Sequence, residues 1–318
     1  MKTTRFSASN DDITTAGDLL CAGQLVAFRT ETVYGLGANA HDQTAVQRIY
    51  TAKGRPSFNP LIVHIPSIDA THTFARWSDE ARAVADAFWP GPLTLVLPLA
   101  ADHGIAPAVL AGNTTIALRV PQTASAQALL RAAGCPIAAP SANRSGQISP
   151  TTADHVMTEL SGRIEAVIDD GPCRVGIEST IYDPVQRIIL RHGSITGEQI
   201  AQVTGHSVTY YDGSNDHSPT APGQLSSHYA PNAALRLNVT APAAGDVYIG
   251  YGAYRGELTL SAQGDAHEAA AALYATLRRA DDLAMTRGAA IAIAPVPDEG
   301  IGRALNDRLT RAAAPKSA

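Results

Sequence analysis

The stretch "TAVQRIYTAKGRPSFNPLIVHI", residues 44–65, changes its period midway. Its first part is helical in pattern: Ala45, Ile49 and Ala52 share one face, and Gly54 supplies a stop. "LIVHI" (61–65) is a short apolar run rich in branched residues and reads as a strand. Between them "RPSFNP" places two prolines in a rigid turn. A helix handed to a buried strand in this way is the alternation of an α/β fold.

The same alternation continues on both sides. "QLVAF" (24–28), "LTLVLPL" (93–99), "TTIALRV" (114–120) and "PIAA" (136–139) read as strands, and "AVIDD", "STIYD" and "RIILR" add more between 166 and 191. "DEARAVADAFW" (79–89) is helical and ends at Pro90; "TASAQALLRAAG" (123–134) is helical and ends at Gly134. We expect one α/β domain over residues 1–205. Residues 233–318 carry a second, smaller α/β unit, in which "DAHEAAAALYATLRRADDL" (265–283) is a strongly amphipathic helix. The segment 206–232 between them is rich in Gly, Pro, Ser, Asn and Asp. Its composition fits a passive linker. Its three tyrosines and three histidines fit a long functional loop.

Composition bounds the function. The 318 residues carry a net charge of −5, which argues against a wholly basic nucleic-acid binder and against direct tRNA binding. The three cysteines, Cys21, Cys135 and Cys173, are far apart in sequence and show no CxxC spacing, so neither a zinc site nor a disulfide framework is expected. The N-terminus lacks the apolar core of a signal peptide, and no apolar run reaches the roughly 18–20 residues of a membrane span. A cytoplasmic location with no membrane partner is the expectation. There is no GxxxxGK[ST] loop, HExxH or GxSxG, and "GLGANA" (35–40) misses GxGxxG.

Three features suggest a site. Lys53 is the only lysine between Lys2 and Lys316 in a chain with 21 arginines, and Arg55 follows it beside the rigid turn. Two cations there are either solvated charges at a helix C-terminus or a fixed pair for a polyphosphate. Arg119 interrupts an apolar strand; it either pairs with an internal acid or binds a small carboxylate. "APSANRSGQISPT" (139–151) is dense in hydroxyls and amides; it caps a helix through Ser149 or Thr151, or it lines a nucleotide pocket.

Seven stretches occur in the order of the YrdC-like domain: "TETVYGLGANA", "KGRPSFNPLIVHI", "FWPGPLTLVL", "TIALRVP", "APSANRSGQISPT", "GIESTIYD" and "ILRHGSIT". With "APGQLSSHYAP" (221–231), the chain resembles the long form of the threonylcarbamoyl-AMP synthase family. The resemblance implies a twisted mixed-sheet N-terminal domain and a smaller Rossmann-like C-terminal domain, with residues 206–232 closing over the active site. It implies condensation of L-threonine, bicarbonate or CO2, and ATP, with Mg2+, into threonylcarbamoyl-AMP and pyrophosphate. The product would pass to the threonylcarbamoyl transferase machinery that modifies adenosine 37 of tRNA.

Carried over position by position, Lys53 and Arg55 would act on the ATP phosphates, with Asn59 beside them. Thr115, Ser141, Asn143, Ser149, Arg191 and Tyr229 would bind ATP. Thr32, His64, Arg119 and Ser179 would bind threonine, with Arg119 on its carboxylate. Gln224, Ser226 and Ser227 depart from the family's lysines and aromatic, and His192 stands where proline is usual. Two other classes compete. An RNA-holding module is opposed by the charge, and carbamoyl transfer in hydrogenase maturation is opposed by the missing zinc-finger cysteines and acylphosphatase-like segment.

Overall fold

The computed structural model describes residues 2–212, 221–222 and 228–315. Its larger sheet holds β1 (Thr4–Ser7), β2 (Val26–Arg29), β3 (Tyr34–Asn39), β4 (Ile62–His64), β5 (Leu93–Pro98), β6 (Thr115–Arg119), β7 (Ile137–Ala138), β8 (Ala166–Asp169), β9 (Thr180–Asp183), β10 (Ile188–Arg191) and β11 (Thr209–Tyr210). Their order is β1-β8-β2-β3-β7-β4-β6-β5-β9-β10-β11, with parallel and antiparallel neighbours mixed. β11 pairs with β10, so the sheet runs past residue 205, where we expected the domain to end. "GLGANA" lies largely within β3 rather than in a loop.

Helices α1 (Asn10–Cys21), α2 (Gln43–Lys53), α3 (Asp79–Phe88), α4 (Pro107–Leu110), α5 (Ala124–Ala133), α6 (Ala153–Leu160) and α7 (Gly197–Thr204) surround this sheet. α2 starts at Asp42, whose carboxylate accepts from the amides of Thr44 and Ala45, and stops at Gly54 at φ 61°. The N-cap of α6 is Thr152, not Ser149 or Thr151; its hydroxyl accepts from the His155 amide.

The two faces of the sheet are covered unequally, and this positions the site. One face packs Ala27, Leu36, Val63, Leu95 and Leu118 beneath α2, α3 and α6. On the other face, α1 and α5 cover only one end, over Val26, Phe28, Ile137 and Ile168. Beyond Phe28 that face continues as Ile62, Val96, Ala117 and Ile181, which are covered by Ala221 rather than by a helix. His64 pairs with Arg119 and Thr94 with Ile181 in register, so these polar side chains share the face left open by the helices.

The second unit is a parallel sheet in the order β12-β15-β13-β14, from β12 (Leu235–Arg236), β13 (Val247–Tyr251), β14 (Leu258–Ser261) and β15 (Ile291–Ile293). α8 (Ala266–Arg287) and α9 (Gly302–Ala313) pack on it. Its core also takes in Val33, Ile148, Ile177 and Tyr229 from outside the unit. The apolar interior is therefore continuous from the small sheet to the edge of the large one. Cys21 and Cys135, distant in sequence, are neighbours where α1 meets α5, and all three cysteines are free. Among the described residues no helix is long and apolar enough to cross a membrane.

Candidate active site

A cavity of about 50 Å3 lies on the open face. Thr32, His64, Arg55, Arg119, Ser141, Arg191 and Tyr229 are among the residues that line it. Pro222, His228 and Tyr229 form the cover. The space has room for only a few water molecules and is far below the roughly 300–1,000 Å3 of ordinary ligand pockets.

Of the two alternatives left open by its sequence context, the structure shows Arg119 paired with an internal acid. Its Nη2 donates to Glu31 Oε1 at 2.6 Å with both side chains buried, while its Nε has no partner among the described residues. Glu31 is fixed in turn, its second oxygen accepting from the Gln122 amide at 2.9 Å. A guanidinium held by one edge keeps its orientation and can present its remaining donors to a planar carboxylate. His64 is in register beside it, edge-on to Phe28 with ring centroids 5.9 Å apart. Burial, with Arg119 adding to it, pushes His64 down to about 3, so the imidazole is neutral near pH 7. Thr32 and Thr30 share a hydrogen bond of 2.8 Å between their hydroxyls. The Ser179 hydroxyl lies 2.8 Å from that of Thr94 and accepts from Arg191 Nη2 at 3.1 Å.

The other cations are equally buried. Arg55 donates to the carbonyl of Pro60 at 3.1 Å, a contact set by the rigid turn, and its Nε has no partner among the described residues. Burial lowers it to about 10. Arg191 reaches the Pro222 carbonyl, tying the cover to β10. The Lys53 ammonium donates to the carbonyls of Ser141 (2.6 Å) and Asn143, so it joins the end of α2 to the loop after β7. Burial, reinforced by Arg55, pulls Lys53 well below the usual lysine range.

Of the residues singled out by sequence, Thr32, His64, Arg55, Arg119, Ser141, Arg191 and Tyr229 line the cavity. Ser179 is in contact with Arg191. Lys53, Asn59, Thr115, Asn143 and Ser149 do not line it. Asn59 and Asn143 each keep a buried side-chain oxygen without a partner among the described residues. The Ser149 hydroxyl donates to Glu178 at 2.6 Å. Gln224, Ser226 and Ser227 lie outside the described residues. Sequence reasoning missed Glu31, Glu178 and His228. All three stand in the quoted motifs, next to Thr32, Ser179 and Tyr229, and adjacency was the available signal.

The two acids of the site, Glu31 and Glu178, are each held by an arginine. No group of three or more His, Cys, Asp or Glu that could hold a metal ion occurs among the described residues. Among the described residues, then, this site offers no such group. Its unpartnered polar atoms suit a polar, largely anionic ligand.

A family model described as telomere recombination, covering the Sua5, YciO and YrdC proteins, matches residues 18–193. A model of the threonylcarbamoyl-AMP synthase C-terminal domain matches residues 195–314. A threonylcarbamoyl-AMP synthase of Bacillus subtilis is 40% identical over 98% of this chain and 95% of its own length. One of Pyrococcus abyssi is 46% identical over 69% of this chain and 65% of its own length. The crystal structure of P. abyssi Sua5 complexed with L-threonine superposes with a TM-score of 0.88, at 36% identity, covering 98% of both chains.

Proposed function

From the premise that this chain belongs to the threonylcarbamoyl-AMP synthase family, we propose how its site divides the labour of the reaction. The protein is an enzyme of the nucleotidyltransferase type that makes threonylcarbamoyl-AMP. Our reading is that it condenses L-threonine, bicarbonate or CO2, and ATP. The observation that carries this is the juxtaposition around one cavity of Arg119, oriented by Glu31, and the arginine pair Arg55 and Arg191. One part suits an amino-acid carboxylate, the other a polyphosphate.

The chemistry needs no protein nucleophile. The threonine amine adds to CO2, forming the N–C bond of a carbamate and releasing a proton. A carbamate oxygen then attacks the α-phosphorus, the bond to the β-phosphate oxygen breaks, and pyrophosphate leaves. In this reading Arg119 holds the carboxylate while Thr32, neutral His64 and Ser179 surround the rest of threonine. A neutral imidazole leaves Arg119 as the cation beside the carboxylate and accepts a hydrogen bond from the hydroxyl or the amine. Arg55, Arg191 and Lys53 supply the positive field for the phosphates, which is where charge develops as pyrophosphate departs. Asn59, Thr115, Ser141, Asn143 and Tyr229 complete the nucleotide site, and Ser149 acts through Glu178. Mg2+ would arrive with ATP as part of the substrate and would help to neutralise the phosphates.

The cavity must enlarge to admit a nucleotide, and Pro222, His228 and Tyr229 are the residues that stand over it. Their return would exclude water from a carbamate that loses CO2 readily. We place the reaction in the cytoplasm, with the adenylate passed to the transferase that modifies tRNA. The test is pyrophosphate release from ATP. It should require both threonine and bicarbonate; equal release with serine, or release without bicarbonate, would refute the assignment.

A further inference from the structure

Arg308 is the largest fully buried side chain, and it comes from α9 of the second unit. Its Nε donates to Glu178 Oε2 at 3.0 Å and its Nη1 to Asp307 at 2.7 Å, while its Nη2 is buried without a partner among the described residues. Its guanidinium carbon stands 5.7 Å from the centre of the Tyr229 ring. Tyr274 of α8 donates its hydroxyl to Glu178 at 2.8 Å and stacks on Tyr229 with centroids 5.5 Å apart. Both side chains thus grip the same two cavity-lining residues, Glu178 and Tyr229.

Each of the two needs such a grip. Tyr229 sits at φ 63°, in the left-handed region that a bulky residue rarely adopts. Such a conformation persists only where its surroundings over-determine it. The adjacent amide, that of His228, donates to the Arg311 carbonyl of α9, and the Ala230 amide donates to Gly146. Glu178 is a buried acid on the wall of a cavity meant for anions. Burial opposes its charge, but Arg308, Arg191 and the hydroxyls of Ser149 and Tyr274 hold it ionised. Unneutralised, it would repel a phosphate or carboxylate at short range.

We propose that Arg308 and Tyr274 are positioning residues for the reaction. Through them the C-terminal unit neutralises Glu178 and holds Tyr229 in its left-handed conformation over the nucleotide. The inference rests on the function assigned above and adds a role for the smaller unit.

The test compares Tyr274→Phe, Arg308→Lys and Arg308→Met with the parent protein in threonine- and bicarbonate-dependent pyrophosphate release. Losing one charge-assisted hydrogen bond should reduce kcat/KM for ATP by about tenfold or more. The loss should appear chiefly as a raised KM for ATP, and it should be smallest in Tyr274→Phe, which keeps the stacked ring. Combining Glu178→Gln with Arg308→Met removes the unpaired charge and should bring KM for ATP part of the way back; a purely structural role predicts recovery of the melting midpoint alone, with KM unchanged. Should Arg308→Met fail to fold, Tyr274→Phe and Arg308→Lys, checked by their melting midpoints, decide the question. Folded variants with parental KM and kcat would overturn the proposal. So would a lowered KM for ATP, because the contacts would then only obstruct entry. A parent protein without the threonine-dependent activity would instead overturn the assigned function, which separates the two failures.

Discussion

An ammonium fits between the carbonyls of Ser141 and Asn143 where a guanidinium does not. Lys53 is 3% exposed, and its tip is already within hydrogen-bond distance of both oxygens. Lys53→Arg keeps the charge but adds a planar group to a closed space, which costs about 1–3 kcal/mol in a packed interior. It should also shift the loop of Ser141 and Asn143. We expect a lower melting midpoint and a loss of pyrophosphate release by at least about tenfold; an arginine variant with parental activity would remove the special role of the ammonium. Arg119 was legible in the sequence because a charge within an apolar run is costly unless used, and Lys53 because it is the only lysine between Lys2 and Lys316 in a chain with 21 arginines. The groups that fix them, two backbone carbonyls for Lys53 and a carboxylate for Arg119, were not. Glu31 is held by Arg119 across 88 positions, and no local pattern announces that pairing. Arg308 was the least legible: it is one of 21 arginines and sits in an ordinary amphipathic helix.

At the scale of the elements, the contact of α8 with the segment before β9 depends on one glycine. Gly176 is at φ 77°, and a Cβ there would lie 2.3 Å from the carbonyl oxygen of Ala270 and 2.5 Å from the Cα of Ala271. Helix backbone cannot yield as a side chain does, so Gly176→Ala must push α8 away from Glu178. Gly134, the cap of α5 at φ 62°, has open space around it and makes a suitable control. Gly134→Ala should cost only the left-handed backbone penalty, about 1–2 kcal/mol, and leave KM for ATP alone. Gly176→Ala should lower the melting midpoint further and raise KM for ATP as well. Equal effects from the two substitutions would show that the close approach of α8 is unimportant. Gly54 and Gly134 could be read as helix stops because the periodic pattern ends there. β11 could not: Thr209 and Tyr210 become a strand only by pairing with the edge of β10, in a stretch whose composition is that of a loop.

The whole molecule buries neutral imidazoles, and that sets its response to acid. Burial pushes both His64 and His228 down to about 3, with Arg119 adding for His64 and Arg55, Lys53 and Arg191 adding for His228. The unfolded chain takes up these protons near 6.5, the folded one only near 3. Between those limits the unfolded state binds more protons, so stability falls as pH falls and is fully present only above about 6.5. In the middle of the window each histidine contributes about 1.4 kcal/mol per pH unit. Glu178, held at about 2 against the burial that opposes its charge, acts in the same direction but only below the ordinary carboxylate range near 4.5. The two sources therefore separate only in part on the pH axis: decline between 6.5 and 4.5 belongs to the histidines, and below 4.5 the carboxylates add to a histidine contribution that continues to about 3. Urea midpoints measured from pH 7.5 to 4 should fall from about pH 6.5 downward. His228→Asn should flatten the upper part of that fall even if it is less stable at pH 7.5. A midpoint that holds constant down to pH 5 would mean that the imidazoles reach water, and the closed cover over the cavity would then have to be open in solution.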